Sequence, residues 1–214
     1  MKTNQNSEFY VIGGICGILG NINYIIAITF PLPPAVSFLL AISWPIFSLI
    51  FAYSVYKYIA IHKQSINNQL AFLFTCLAFI LVSIMISIQL VVKTGMEESI
   101  INASGSEKDT LLLILGSLRW VDLGVDLAWD IFLGFALLLL SIVIKGHPKF
   151  GIWWSIPLAL LGIAIIVTNL YTFPNPPDTR GLIDVGPLTG SFIIIFGGRM
   201  VYLGIKMGKT HPNN

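Results

Sequence analysis

Four ionisable residues, Arg119, Asp122, Asp126 and Asp130, sit three, four and four positions apart within an apolar stretch. At about 100° per residue they occupy roughly an 80° arc of one helical face. Carboxylates so arranged could hold a cation, relay a proton or bind a polar solute. Each is costly in hydrocarbon, so the face must turn toward a bundle interior or a water-filled cavity. If the helix enters the membrane near Val121, a rise of about 1.5 Å per residue leaves Asp122 interfacial and carries Asp130 near the bilayer centre.

Other polar residues fall in the same outer half by this count. They are Asn21 and Asn23 in a first apolar stretch, Gln89 in a third and Asn169 in a fifth, with Asp184 at the entrance to a sixth. These groups are expected to converge on an outward-facing polar pocket. For the amides the competing role is interhelical glue, at roughly 0.6 kcal/mol per hydrogen bond. Arg199 either reaches the interface along its aliphatic stem or pairs with Asp130. The ligand- or ion-binding candidates are therefore Asp126, Asp130, Asp122, Arg119, Asn23, Asn169 and Arg199.

Aspartates at i, i+4 and i+8 could also hold Mg²⁺ against a phosphate. Enzymes that do so on a diphosphate use a second aspartate motif on another helix, and here Asp178 and Asp184 stand alone. No HExxH, P-loop, GxSxG or CxxC occurs. His62, His147 and His211 are expected on the opposite side of the membrane from the aspartates. No catalytic residue, metal ligand or cofactor is assigned.

The elements that position these residues follow from composition. Of 214 residues, 56% are hydrophobic and 10% charged, and the mean hydropathy is +0.85. A water-soluble domain carries about 25% charged residues, so the chain reads as one integral membrane domain. A net charge of +2 without a basic run gives no footprint for nucleic acid. Six stretches are long and apolar enough to cross about 30 Å of hydrocarbon: residues 9–30, 35–59, 70–92, 121–144, 151–171 and 184–203. The first reads as a retained span, since no small-x-small cleavage site follows it. Backbone amides must be satisfied within each segment in lipid, so the fold class is an all-α membrane bundle. Residues 110–116 either lie at the interface, pack on the bundle or extend the fourth span.

Lysines at 2, 57, 63, 145, 149, 206 and 209 gather on one side. Lys93, Lys108 and Arg180 stand on the other beside Glu97, Glu98, Glu107, Asp109 and Asp178. The excess places both termini in the cytoplasm. Gly13, Gly14, Gly17 and Gly20 in the first span, and Gly186, Gly190, Gly197 and Gly198 in the sixth, have spacings that allow close helix packing. Cys16 and Cys76 read as buried thiols. Thr29-Phe30-Pro31-Leu32-Pro33-Pro34 resembles Thr172-Phe173-Pro174-Asn175-Pro176-Pro177, either because sharp exits use similar residues or because the first and fifth spans are repeats.

Three segments carry a family resemblance: Asp126-Leu127-Ala128-Trp129-Asp130-Ile131-Phe132-Leu133-Gly134, His147-Pro148-Lys149-Phe150-Gly151 and Asn169-Leu170-Tyr171-Thr172-Phe173-Pro174. Together they resemble a family of uncharacterised bacterial polytopic membrane proteins, mainly over the C-terminal half. The resemblance implies a multi-pass protein of the bacterial cytoplasmic membrane and carries over no functional residue. The reading that follows is a small transporter, channel or ligand-binding membrane protein. A membrane-embedded Mg²⁺-dependent enzyme on a lipid or diphosphate, and an accessory subunit of a membrane complex, are the alternatives. The expected partners are the lipid bilayer, a small-molecule or ion ligand, and a second copy or membrane partner.

Overall fold

The computed structural model describes residues 2–62, 64–177 and 181–210, and every regular element among them is helical. Lys63, Asp178, Arg180 and His211 lie outside the described residues. The helices are α1 (Lys2–Thr29), α2 (Pro34–Ala60), α3 (Ile66–Ser87), α4 (Lys93–Asn102), α5 (Gly105–Ile144), α6 (Ile152–Thr172) and α7 (Gly186–Thr210), with a π-helical turn at Ile88–Val92. Six helical segments have the length and apolarity to cross a membrane, one for each expected span.

Local sequence sets several of the boundaries. Pro34 opens α2, where its missing amide proton costs nothing. The Ser65 Oγ accepts the Asn68 amide at 3.2 Å and caps α3. Gly151 starts α6 at φ 68°, a left-handed conformation that glycine adopts without a Cβ clash.

The third and fourth spans are longer than expected. The chain passes from α3 through the π-helical turn straight into α4, and only Ala103 and Ser104 separate α4 from α5. Residues 110–116 belong to α5, which runs unbroken for 40 residues. The charges from Lys93 to Asp109 lie between the expected third and fourth spans, yet they sit on helices. Once past the hydrocarbon, a charged helix exterior has water to face.

The helices form a ring in the order α7, α1, α2, α3, α5, α6. The α6–α7 seam closes the ring through side chains rather than close backbone approach, with Trp154 of α6 packed against Phe192 and Phe196 of α7 at ring-centroid distances of 6.0 and 5.3 Å. The start of α1 lies beside the end of α7: a Cβ built on Gly208 would come 3.1 Å from the Ser7 Oγ. The start of α1 and the end of α7, the two described ends of the chain, therefore share one end of the bundle. Glycines tighten two seams of the ring. A Cβ on Gly14 of α1 would come 2.6 Å from the Gly197 carbonyl of α7, and one on Gly162 of α6 would come 2.7 Å from the Gly134 carbonyl of α5. Gly198 meets nothing within 4 Å, so it takes no part in such a seam.

An apolar core that includes Phe51, Tyr58, Leu158, Phe196 and Met200 fills the half of the ring nearer the termini. A second cluster, with Trp44, Phe79, Val82 and Met85, joins α1, α2 and α3. Leu39, Leu160 and Ile195 point outward at 61–65% exposure, as lipid-facing side chains would. Cys16 and Cys76 are free thiols on different helices. The two proline-rich exits lead to unlike surroundings. Pro34 starts α2 directly, and α2 packs closely on α1. The second exit leads into the connection before α7, and α7 meets α6 through side chains rather than close backbone approach.

Candidate ligand-binding cavity

The ring encloses a cavity of about 530 Å³ at the end away from the termini. Asp126, Trp129 and Asp130 of α5 line it, with Asn21 and Tyr24 of α1 and Trp44 of α2. Gln89 enters from the π-helical turn, while Pro176, Pro177 and Asp184 contribute from the connection between α6 and α7. The volume falls within the roughly 300–1,000 Å³ usual for small-molecule sites.

The α5 stripe divides along its length. Arg119 is exposed and does not line the cavity. Asp122 accepts a hydrogen bond from Gln89 Nε2 at 3.1 Å, while its other carboxylate oxygen is buried without a partner. Gln89 gains its position from the π-helical turn, a feature often found at functional sites. Asp130 is the deepest of the four and accepts a 2.7 Å hydrogen bond from Asn169 Nδ2. Asn169 also donates to the Ile165 carbonyl at 2.9 Å and is itself buried. Asp126 and Asn169 face a small adjoining cleft with Phe173, Pro174 and Pro176, so the second proline-rich exit folds over the acids.

Besides Arg119 and Asp122, which do not line the cavity, two more of the expected residues lie elsewhere. Asn23 donates to the Ser43 Oγ at 2.9 Å and joins α1 to α2 outside the cavity. Asn21 takes the inward position instead, with its Nδ2 donating to the Gly17 carbonyl. A step of two residues rotates a helix by about 200°, so two neighbouring asparagines cannot share a face. Arg199 lies at the termini end, where it donates to the Lys149 carbonyl and stacks 5.3 Å from the centre of the Tyr202 ring. It makes no pair with Asp130.

The aromatic wall is a finding that the sequence did not give. Tyr24 stacks on Trp44 with centroids 4.2 Å apart, and Trp129 and Phe79 meet Trp44 edge-on at 5.8 and 6.0 Å. Tryptophan inside a span usually passes for an interfacial anchor. Here the clue was position, because Trp44 is mid-helix and Trp129 is next to Asp130. The indole Nε1 atoms of Trp44 and Trp129 are both buried without a hydrogen-bond partner.

Phe79, Leu133 and Ile193 form the cavity floor. The same three side chains roof a second cavity of about 70 Å³, which continues toward the termini past Thr75 and Asn68. Two spaces thus lie in series along the bundle, separated by one apolar layer.

At the termini end, His62 and His147 face each other with ring centroids 4.4 Å apart. His147 is buried, and its Nδ1 accepts the Lys149 amide at 3.2 Å. Burial pulls its pKa down to about 4, helped by the neighbouring charges of His62 and Lys149. No group of three or more His, Cys, Asp or Glu side chains converges on a metal position among the described residues. The chain matches no protein-family model, no curated protein and no solved structure.

Proposed function

We propose that this multi-spanning membrane protein is a small transporter, channel or ligand-binding protein whose large cavity opens to the outer side of a bacterial cytoplasmic membrane. The orientation rests on the lysine excess at the termini end, which marks the cytoplasmic side. One observation carries the reading: Asp130, deep in α5, lines a ligand-sized cavity whose floor separates it from a second space toward the termini. A carboxylate is an expensive structural strut in a membrane span, and amides alone would join the helices. The two spaces in series favour passage of a solute over binding alone. An apolar floor of three side chains is the kind of barrier that a rearrangement of helices can open and close.

Side-specific thiol labelling tests the reading. In a chain with Cys16→Ala and Cys76→Ala, Thr189→Cys places one thiol on the cavity wall. A membrane-impermeant thiol reagent should label it from the outer face of intact cells. Failure to label from outside, with the variant folded in the membrane, would overturn the outward-facing pocket.

A further inference from the structure

We infer that the termini end of the α6–α7 seam holds the headgroup of an anionic phospholipid, with its phosphate between the Arg199 guanidinium and Lys149. The site lies away from the large cavity and does not depend on what that cavity carries.

Three features of this surface select that chemistry. The first is a guanidinium held in place with donors to spare. Arg199 sits well inside α7, where a charge is costly unless a partner or the headgroup layer receives it. It donates to the Lys149 carbonyl and stacks 5.3 Å from the centre of the Tyr202 ring, yet it makes no ion pair among the described residues. Its Nε is buried without an acceptor. One carbonyl thus serves a fork of several N–H donors, and phosphate oxygens match such a fork in bidentate fashion. The same bond brings Lys149, itself exposed, up to the guanidinium. Two positive charges meet where α7 passes the turn between α5 and α6.

The second feature is that no acid offsets them. The sequence has no Asp or Glu from Ile131 to Pro177, from Val185 to Asn214 or from Phe9 to Met96. That leaves Glu8 of α1 as the one acidic side chain at the termini end. Its neighbour Ser7 packs at Gly204 and Gly208, beyond Arg199 along α7. An anion arriving at Arg199 has no protein carboxylate to displace.

The third feature is depth. Trp153 at the start of α6 and Tyr202 of α7 are exposed, and such rings favour the headgroup level. One turn further into the membrane, Ile156 and Ile195 are exposed and apolar. A phospholipid has the same order of parts, a charged phosphate with acyl chains directly beneath it. A soluble anion would gain nothing from the apolar half. Basic pockets between membrane helices take anionic headgroups in this way.

The test uses the full chain in phosphatidylcholine nanodiscs with a small share of either phosphatidylglycerol or further phosphatidylcholine carrying brominated acyl chains. Trp153 and Trp154 open α6 beside the site, so a brominated lipid seated there quenches their fluorescence. Brominated phosphatidylglycerol should be preferred by about tenfold or more. Arg199→Gln, whose amide can still donate to the Lys149 carbonyl, should cut that preference about fivefold, the worth of one basic side chain at an anionic surface. Lys149→Gln should do the same. Lys57→Gln removes a charge at the same end, but on α2 over the Tyr53 and Tyr56 rings, and should leave the preference unchanged. If Arg199→Gln does not fold, Arg199→Lys keeps the charge, loses the fork and should still lower the preference.

Equal quenching by the two brominated lipids in the parent chain would overturn the site. An equal loss in Lys57→Gln would also overturn it, because diffuse positive charge would then account for the preference. Inorganic phosphate at matched ionic strength should leave the quenching unchanged. Displacement by it would show a site for a soluble anion and sink the lipid assignment.

Discussion

Asn169 of α6 donates its side-chain amide to the Asp130 carboxylate of α5 at 2.7 Å, so the deepest acid in the cavity is held by a neighbouring helix. The bond adds a second tie between the two helices, one to two turns along from where Gly134 and Gly162 bring their backbones together. Asn169→Leu should therefore lower stability by about 1–3 kcal/mol, the cost of leaving a buried polar group unpaired. Thermal unfolding in detergent measures it. A double-mutant cycle with Asp130→Asn should show coupling of about 0.5 kcal/mol or more, and strict additivity would mean that the bond contributes nothing.

Arg199 lies at the termini end, bound to the Lys149 carbonyl and away from the cavity that Asp130 lines. Asp130→Asn and Arg199→Gln should thus be additive in stability to within about 0.5 kcal/mol. A larger coupling in the same unfolding assay would mean that the two charges do sense each other.

The glycine seam between α1 and α7 gives a sharp contrast. A Cβ at Gly14 would press on the backbone carbonyl of Gly197 at 2.6 Å, whereas one at Gly198 meets open space. Gly14→Ala should destabilise the protein by about 1–3 kcal/mol through overpacking, and Gly198→Ala should be close to neutral. Equal melting temperatures for the two variants would contradict the seam.

His147 makes stability depend on pH. In the folded chain its pKa is pulled down to about 4 by burial and then by His62 and Lys149, so the ring stays neutral where an unfolded histidine of pKa 6.5 takes up a proton. The sign follows. Stability is complete above about pH 6.5 and is lost progressively as the pH falls toward 4. Melting temperatures between pH 7.5 and 4.5 should show the decline. His147→Asn, whose side-chain oxygen can still accept the Lys149 amide, should flatten it, and an unchanged profile in that variant would assign the decline to other groups.

The apolar floor of the cavity can be opened by truncation. Leu133 is 5% exposed and touches both spaces. Leu133→Ala should cost about 2–5 kcal/mol as a large-to-small core change. It should also admit an outside thiol reagent to Thr75→Cys, which lines only the inner space. With Leu133 intact that thiol should stay unreactive, and labelling in both backgrounds would show that the floor is no barrier.

The spans and the inward aspartates were legible because hydrocarbon is an unforgiving solvent. Asp126 and Asp130 had to face the interior, and Asn21, Gln89 and Asp184 joined them in the cavity. Rotation was not legible to that precision: Asn21 faces inward while Asn23 bonds to Ser43. Trp44 and Trp129 were missed because an indole in an apolar helix gives the same signal whether it meets lipid, a headgroup or a ligand. The helical run on either side of Ala103 was hidden by its charges, which break a hydropathy window without breaking a helix. The His62–His147 contact joins the end of α2 to the turn after α5, and such long-range meetings leave no trace in local spacing.

The unbroken α5 has a practical consequence for topology. At about 1.5 Å per residue its 40 residues extend about 60 Å, roughly twice the hydrocarbon thickness. Together with α4 it raises a two-helix mast past the headgroups, tipped by the short turn at Ala103 and Ser104. An epitope inserted at that tip would stand clear of the lipid surface, and antibody access to it would report which compartment the mast enters.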